Sequence, residues 1–172
     1  MRLTVMRHGH DEYDATFRDD HALTNLGYIK CKKLFMKMLS KHRPDLVLIS
    51  PFQRCRDTAD VLLEVNNNIK GQLLDVYINT DLSRYFPPKE RENPSCYGST
   101  FNFGIPINEG SKNFRIRVKQ FCRQLEKEYG HKNMHVLIIT HTLVLKEMAE
   151  HFKIDVPHWI PFLHHFTIKV RR

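Results

Sequence analysis

Two patterns alternate along this chain. Short apolar runs stand between longer stretches in which apolar residues recur every three or four positions, with charged residues between them. The first pattern predicts sheet strands and the second amphipathic helices, and their alternation predicts an α/β layer fold. Arg2-Leu3-Thr4-Val5-Met6 is a first strand, followed by a polar loop over residues 10–22. Thr24 suits the N-cap of a helix that places Tyr28, Cys31, Phe35 and Met38 on one face and stops at Arg43-Pro44. Residues 45–49 read as a buried strand. Ser50 and Pro51 then read as the cap and first turn of a second helix, with Cys55, Ala59 and Leu62 inward and its end at Asn66-Asn67-Asn68.

A third strand is expected over residues 76–79. The stretch 82–107 is rich in Pro, Gly, Asn and Ser and is long for a connection inside a compact domain. It also carries Tyr85, Phe86, Tyr97, Phe101 and Phe103, which suggests packed structure capping a site. Residues 111–129 form a helix with Phe114, Val118, Phe121 and Leu125 on one stripe and Gly130 as its C-cap. Residues 134–140 are the most hydrophobic strand, hence central. A short helix runs through Val144, Met148 and Phe152, and residues 165–170 close the sheet. The expected architecture is a single domain over residues 1–172, a three-layer α/β/α sandwich around a mostly parallel sheet.

Composition narrows the function classes. A chain of 172 residues with 41% hydrophobic and 27% charged residues is an ordinary globular protein. No apolar run approaches the ~20 residues that span a bilayer, and Arg7 and His8 interrupt any signal-peptide core. A cytoplasmic location is expected, with Cys31, Cys55, Cys96 and Cys122 as reduced thiols. A formal charge of +8 favours an anionic partner. A phosphorylated substrate leads; nucleic acid is secondary, because no long basic tract or aromatic RNA-binding signature is present. The remaining histidines show no ligand spacing, so neither metal nor cofactor is expected.

The chemistry lies at strand ends. Arg7-His8-Gly9 follows the first strand, Ser50-Pro51-Phe52-x-Arg54-x-x-x-Thr58-Ala59 the second, and Thr140-His141-Thr142 the central one. The carboxyl edge of a parallel sheet is where α/β folds bind ligands. A neutral imidazole can attack phosphorus and hold the phosphoryl group, dividing one displacement into two. Two guanidinium groups stay charged and grip phosphate bidentately, and a helix amino end adds N–H groups to the same anion. His141 supplies a fourth donor, with Gly9 and Thr142 beside it.

Together with Leu23-Thr24-x-x-Gly27 at the first helix, these segments resemble the histidine phosphatase superfamily, the fold of cofactor-dependent phosphoglycerate mutases and many small phosphatases. Asn108-Glu109-Gly110-Ser111, with Arg117-Val118 behind it, is similar to a permuted form of that family's Gly-Glu-Ser helix start. The resemblance spans nearly the whole chain. It implies a metal-independent phosphatase acting through phospho-His8, with Arg7, Arg54 and His141 around the phosphate and Thr24 and Gly27 as architecture. Two positions depart from the pattern. Asp14 stands where the family commonly has Asn, and Leu82-Ser83-Arg84 puts Arg where a Leu-x-Glu acid is expected. Asp81 is the first substitute acid, followed by Glu109, then Glu90 and Glu92. A phosphohistidine phosphatase, whose leaving group needs no strong acid, and a catalytically weakened phosphate-binding scaffold are the alternatives.

Overall fold

A computed structural model describes residues 1–12, 21–70, 74–82 and 110–170. Five strands form one sheet: β1 (Arg2–Arg7), β2 (Leu46–Ile49), β3 (Asp75–Ile78), β4 (His135–Thr140) and β5 (His165–Lys169). Their spatial order is β3-β2-β4-β1-β5, parallel except for β5, which runs antiparallel to β1. All of β4 is buried at the centre, as its hydrophobicity predicts.

Helices α1 (Asn25–Lys41) and α2 (Gln53–Lys70) cover one face of the sheet, while α3 (Ser111–Tyr129) and α4 (Thr142–His151) cover the other. The alternation of strand side chains divides the core accordingly. Leu3, Val5, Val136 and Ile138 pack with Phe114, Val118, Phe121 and Leu125 of α3. Met6, Leu137 and Ile139 pack with Cys31 and Phe35 of α1 and Cys55, Ala59 and Leu62 of α2. This is the expected α/β/α sandwich. Among the described residues no helix is long and apolar enough to cross a membrane.

Several local expectations change. Thr24 does cap α1, accepting the Gly27 N–H at 3.0 Å, but Tyr28 points outward and Met38 is only half-buried. Gly27 and Leu39 complete the buried stripe with Cys31 and Phe35. Ser50 is not a helix cap: α2 begins at Gln53, after a bend at Pro51 and Phe52. Nor does the asparagine run stop α2, which continues to Lys70. Asn66 is fully buried and its side-chain oxygen accepts from Arg43 Nε at 2.9 Å, so a tertiary bond overrides its weak helix propensity. Cys31, Cys55 and Cys122 are buried thiols outside any disulfide, and burial pushes Cys31 and Cys122 up to about 12. Cys96 and nearly all of the 82–107 stretch lie outside the described residues.

Candidate active site

Adjacent parallel strands that send their helices to opposite faces leave a crevice at their carboxyl ends. Here β1 leads to α1 on one face and the neighbouring β4 leads to α4 on the other. His8 follows β1 and His141 follows β4, so topology alone brings the two imidazoles together. His8 N–H still donates to the Thr140 carbonyl at 2.9 Å, and the two rings meet edge-on with centroids 5.3 Å apart.

The tautomer of each ring follows from its partners. His8 Nδ1 lies 2.8 Å from the Gly9 carbonyl. A carbonyl only accepts, so Nδ1 carries the proton and the nucleophilic lone pair belongs to Nε2. His141 Nδ1 lies 3.3 Å from an Arg54 guanidinium nitrogen, which only donates. Its proton therefore sits on Nε2, where Ser50 Oγ accepts at 2.8 Å. Sequence reading missed this role of Ser50. A serine at a strand end before a helix signals a cap, and only the fold shows which group its oxygen serves.

Arg54 stands in the first turn of α2, buried, with its guanidinium carbon 5.1 Å from the Phe52 ring centroid. Phe52 packs edge-on against His141 at 5.1 Å. One turn on, Thr58 Oγ donates to the Arg54 carbonyl at 2.6 Å and accepts the Gly9 N–H at 2.9 Å. The threonine of the second motif thus ties α2 to the loop behind His8. Gly9 itself is a close-packing residue: a β-carbon there would lie 2.5 Å from Cys31 Sγ.

Arg7 lies against the segment before β5. Its guanidinium donates to the Ile160 carbonyl and sits 4.0 Å over the Phe162 ring. Leu163, next in the chain, takes a left-handed φ of 62° and donates to the His8 carbonyl at 3.3 Å. That is a costly conformation for a leucine. It holds a turn whose aromatic ring also faces His8 at 5.6 Å and His10 at 4.8 Å. Nothing in the composition of Pro161-Phe162-Leu163 marks it as part of the site.

A second missed residue is Asp11, buried with Oδ2 3.5 Å from Arg54 Nε. Burial raises its carboxyl above the ordinary aspartate value, while Arg54 and, more weakly, Arg7 pull it back down. Asp14, which stands where the family commonly has Asn, lies outside the described residues, as do Glu90, Glu92 and Glu109. Asp81 lies in a short 3₁₀ turn, Thr80–Leu82, after β3. Thr140 Oγ donates to the Leu82 carbonyl at 2.8 Å, which fastens that turn to the end of β4. Thr142 is half-buried at the start of α4. Among the described residues no three His, Cys, Asp or Glu side chains are grouped as a metal ion's ligands. The crevice therefore gathers His8, Arg7, Arg54 and His141 at one sheet edge, with the Asp81 turn attached beside them.

Residues 3–168 match the model of the histidine phosphatase superfamily, branch 1. No curated protein sequence matches the chain. Among solved structures, it is similar to the alpha-ribazole phosphatase of Shigella flexneri, at 27% identity and a TM-score of 0.62, over 90% of this chain and 81% of that one. The protein histidine phosphatase SixA, solved with tungstate, is 21% identical with a TM-score of 0.58, over 87% and 76% of the two chains. A phosphoserine phosphatase from Entamoeba histolytica, solved with 3-phosphoglyceric acid, is 14% identical with a TM-score of 0.65, over 96% and 89%.

Proposed function

The chain belongs to the histidine phosphatase superfamily, and from that premise we propose that it hydrolyses a phosphomonoester, without a metal ion, through a phosphoryl group held on His8. The observation that carries this reading is the tautomer of His8, whose Nδ1–H bond to the Gly9 carbonyl leaves Nε2 as the nucleophile. Attack by Nε2 forms the N–P bond as the ester P–O bond breaks. Asp81 protonates the departing oxygen, and water then displaces phosphate from His8, restoring the imidazole. Phosphoryl transfer depends mostly on positive charge around the equatorial oxygens. Arg7, Arg54 and Thr142 at the start of α4 provide donors, and Gly9 lets the loop approach closely. His141, which accepts from Arg54 through Nδ1, stands beside the same anion and completes the set.

The solved phosphatases of this fold support hydrolysis, and the fit of SixA adds a second reading, hydrolysis of phosphohistidine. Arg84 in place of the Leu-x-Glu acid favours such a leaving group, which departs without help. Nitrophenyl phosphate should be turned over equally with and without EDTA, with tungstate inhibiting competitively. Arg7→Ala and Arg54→Ala should each cost about 2–4 kcal/mol of transition-state stabilisation. Asp81→Asn should slow an alkyl phosphate far more than nitrophenyl phosphate, since a nitrophenolate needs little protonation. Activity lost on chelation and restored by a divalent metal would overturn the mechanism. Tight phosphate binding without turnover would make the chain a phosphate-binding scaffold.

A further inference from the structure

A second basic cleft lies along β1 on the α1 side of the sheet. It has a volume of about 240 Å³ and opens between the carboxyl half of α1 and the β1–β5 edge. Arg2, Lys37, Lys41, His42, His135 and His165 line it, and among the described residues no Asp or Glu does. Its apolar wall is Leu34 and Met38. The cleft runs along the β1–β5 pair from Arg2, at the far end of β1 from His8, to His165, which pairs with Met6.

Its floor is a chain of hydrogen bonds with a readable direction. His135 Nδ1 lies 3.3 Å from the Arg43 carbonyl and must donate to it. Nε2 of the neutral ring then accepts from Thr4 Oγ at 2.8 Å, and Thr4 Oγ accepts from Thr167 Oγ at 2.9 Å. A proton added to His135 Nε2 reverses both bonds, because Nε2 now donates to Thr4 and Thr4 donates to Thr167. The Thr167 hydroxyl proton is then released to point into the cleft. Protonation thus converts the cleft floor into a donor.

We propose that this cleft is a second anion site, taking a small phosphorylated ligand whose phosphate meets Arg2, Lys37 and Thr167 while its apolar part rests on Leu34 and Met38. Binding is coupled to a proton on His135. The groups facing that ring are Arg2, His42 and Asp45, with Lys37, Lys41 and His165 across the cleft. Asp45 Oδ2 already accepts the His135 backbone N–H at 2.7 Å. Burial holds His135 below the ordinary imidazole value, with Arg2 and His42 adding to the effect and the Arg43 carbonyl and Asp45 opposing it. A bound anion offsets the neighbouring cations and accepts from Thr167. It therefore raises the His135 pKa, and affinity strengthens as pH falls through the ordinary histidine range.

The test is a titration of the native protein with inorganic pyrophosphate, followed by ¹H–¹⁵N NMR. Two separable sets of signals should move, one around Thr4, Lys37, His135 and Thr167 and one around His8 and Gly9. Arg2→Ala with Lys37→Ala, both at the surface of the cleft, should weaken the first set at least tenfold and leave nitrophenyl phosphate turnover unchanged. Arg54→Ala should weaken only the second. The His135 ring should titrate at higher pH with ligand than without. Shifts confined to the His8 set would overturn the proposal, as would an unmoved His135 titration. Binding at the cleft by an oligonucleotide alone, falling steeply with salt, would also overturn it and assign the surface to nucleic acid.

Discussion

Asp11 and Arg54 place opposite charges inside the crevice proposed to hold a phosphate. The carboxylate 3.5 Å from Arg54 Nε orients the guanidinium but also competes with phosphate for it. Because burial raises the Asp11 pKa in the folded protein, its ionisation works against folding. A carboxyl raised in the native state contributes stability that is present below its unfolded value and lost as pH rises through the folded one. The stability difference between the native protein and Asp11→Asn should therefore move toward the native protein as pH is lowered from 7 toward 4. Denaturant melts at several pH values measure this, and a difference that moves the other way would mean Arg54, not burial, dominates. Asp11 was illegible in the sequence because a carboxylate in a polar loop reads as solvated. His8, Arg7, Arg54 and His141 were legible because each adjoins a strand end and its chemistry suits phosphate.

At the scale of elements, α1 meets the loop behind β1 without any spare space. A β-carbon at Gly27 would lie 2.2 Å from the His10 carbonyl oxygen, a backbone atom that cannot swing aside. The same loop is fastened there by the Thr24 N–H to the His10 carbonyl at 3.0 Å, and by the His10 ring to Thr24 Oγ at 2.9 Å. Gly27→Ala should cost about 1–3 kcal/mol, as overpacking does. It should also lower activity, because the displaced backbone is two residues from His8. Thermal melts and turnover check both; an unchanged melting temperature would mean that α1 shifts freely. The cap at Thr24 and the stripe of α3 were legible because local pattern decides them. The start and end of α2 were not, since Ser50 serves His141 and Asn66 serves Arg43, partners that only the fold supplies.

For the whole molecule, the order of motifs along the chain was legible, but their meeting point was not. β1 and β4 are separated by more than a hundred residues of sequence. Their pairing, with Arg7 opposite Thr140, is what sets His8 beside His141. The turn at Phe162 arrives from still further along the chain to cover Arg7. In the proposed mechanism this assembled edge makes His8 Nε2 a phosphoryl acceptor. The direct measurement is to quench the native protein in base during turnover of nitrophenyl phosphate and map the bound phosphate by mass spectrometry, beside His8→Ala. An acid-labile, base-stable phosphate should appear on the peptide containing His8. The His8→Ala protein should melt like the native one and not turn over. Full activity in His8→Ala, or phosphate trapped on a different residue, would contradict that mechanism.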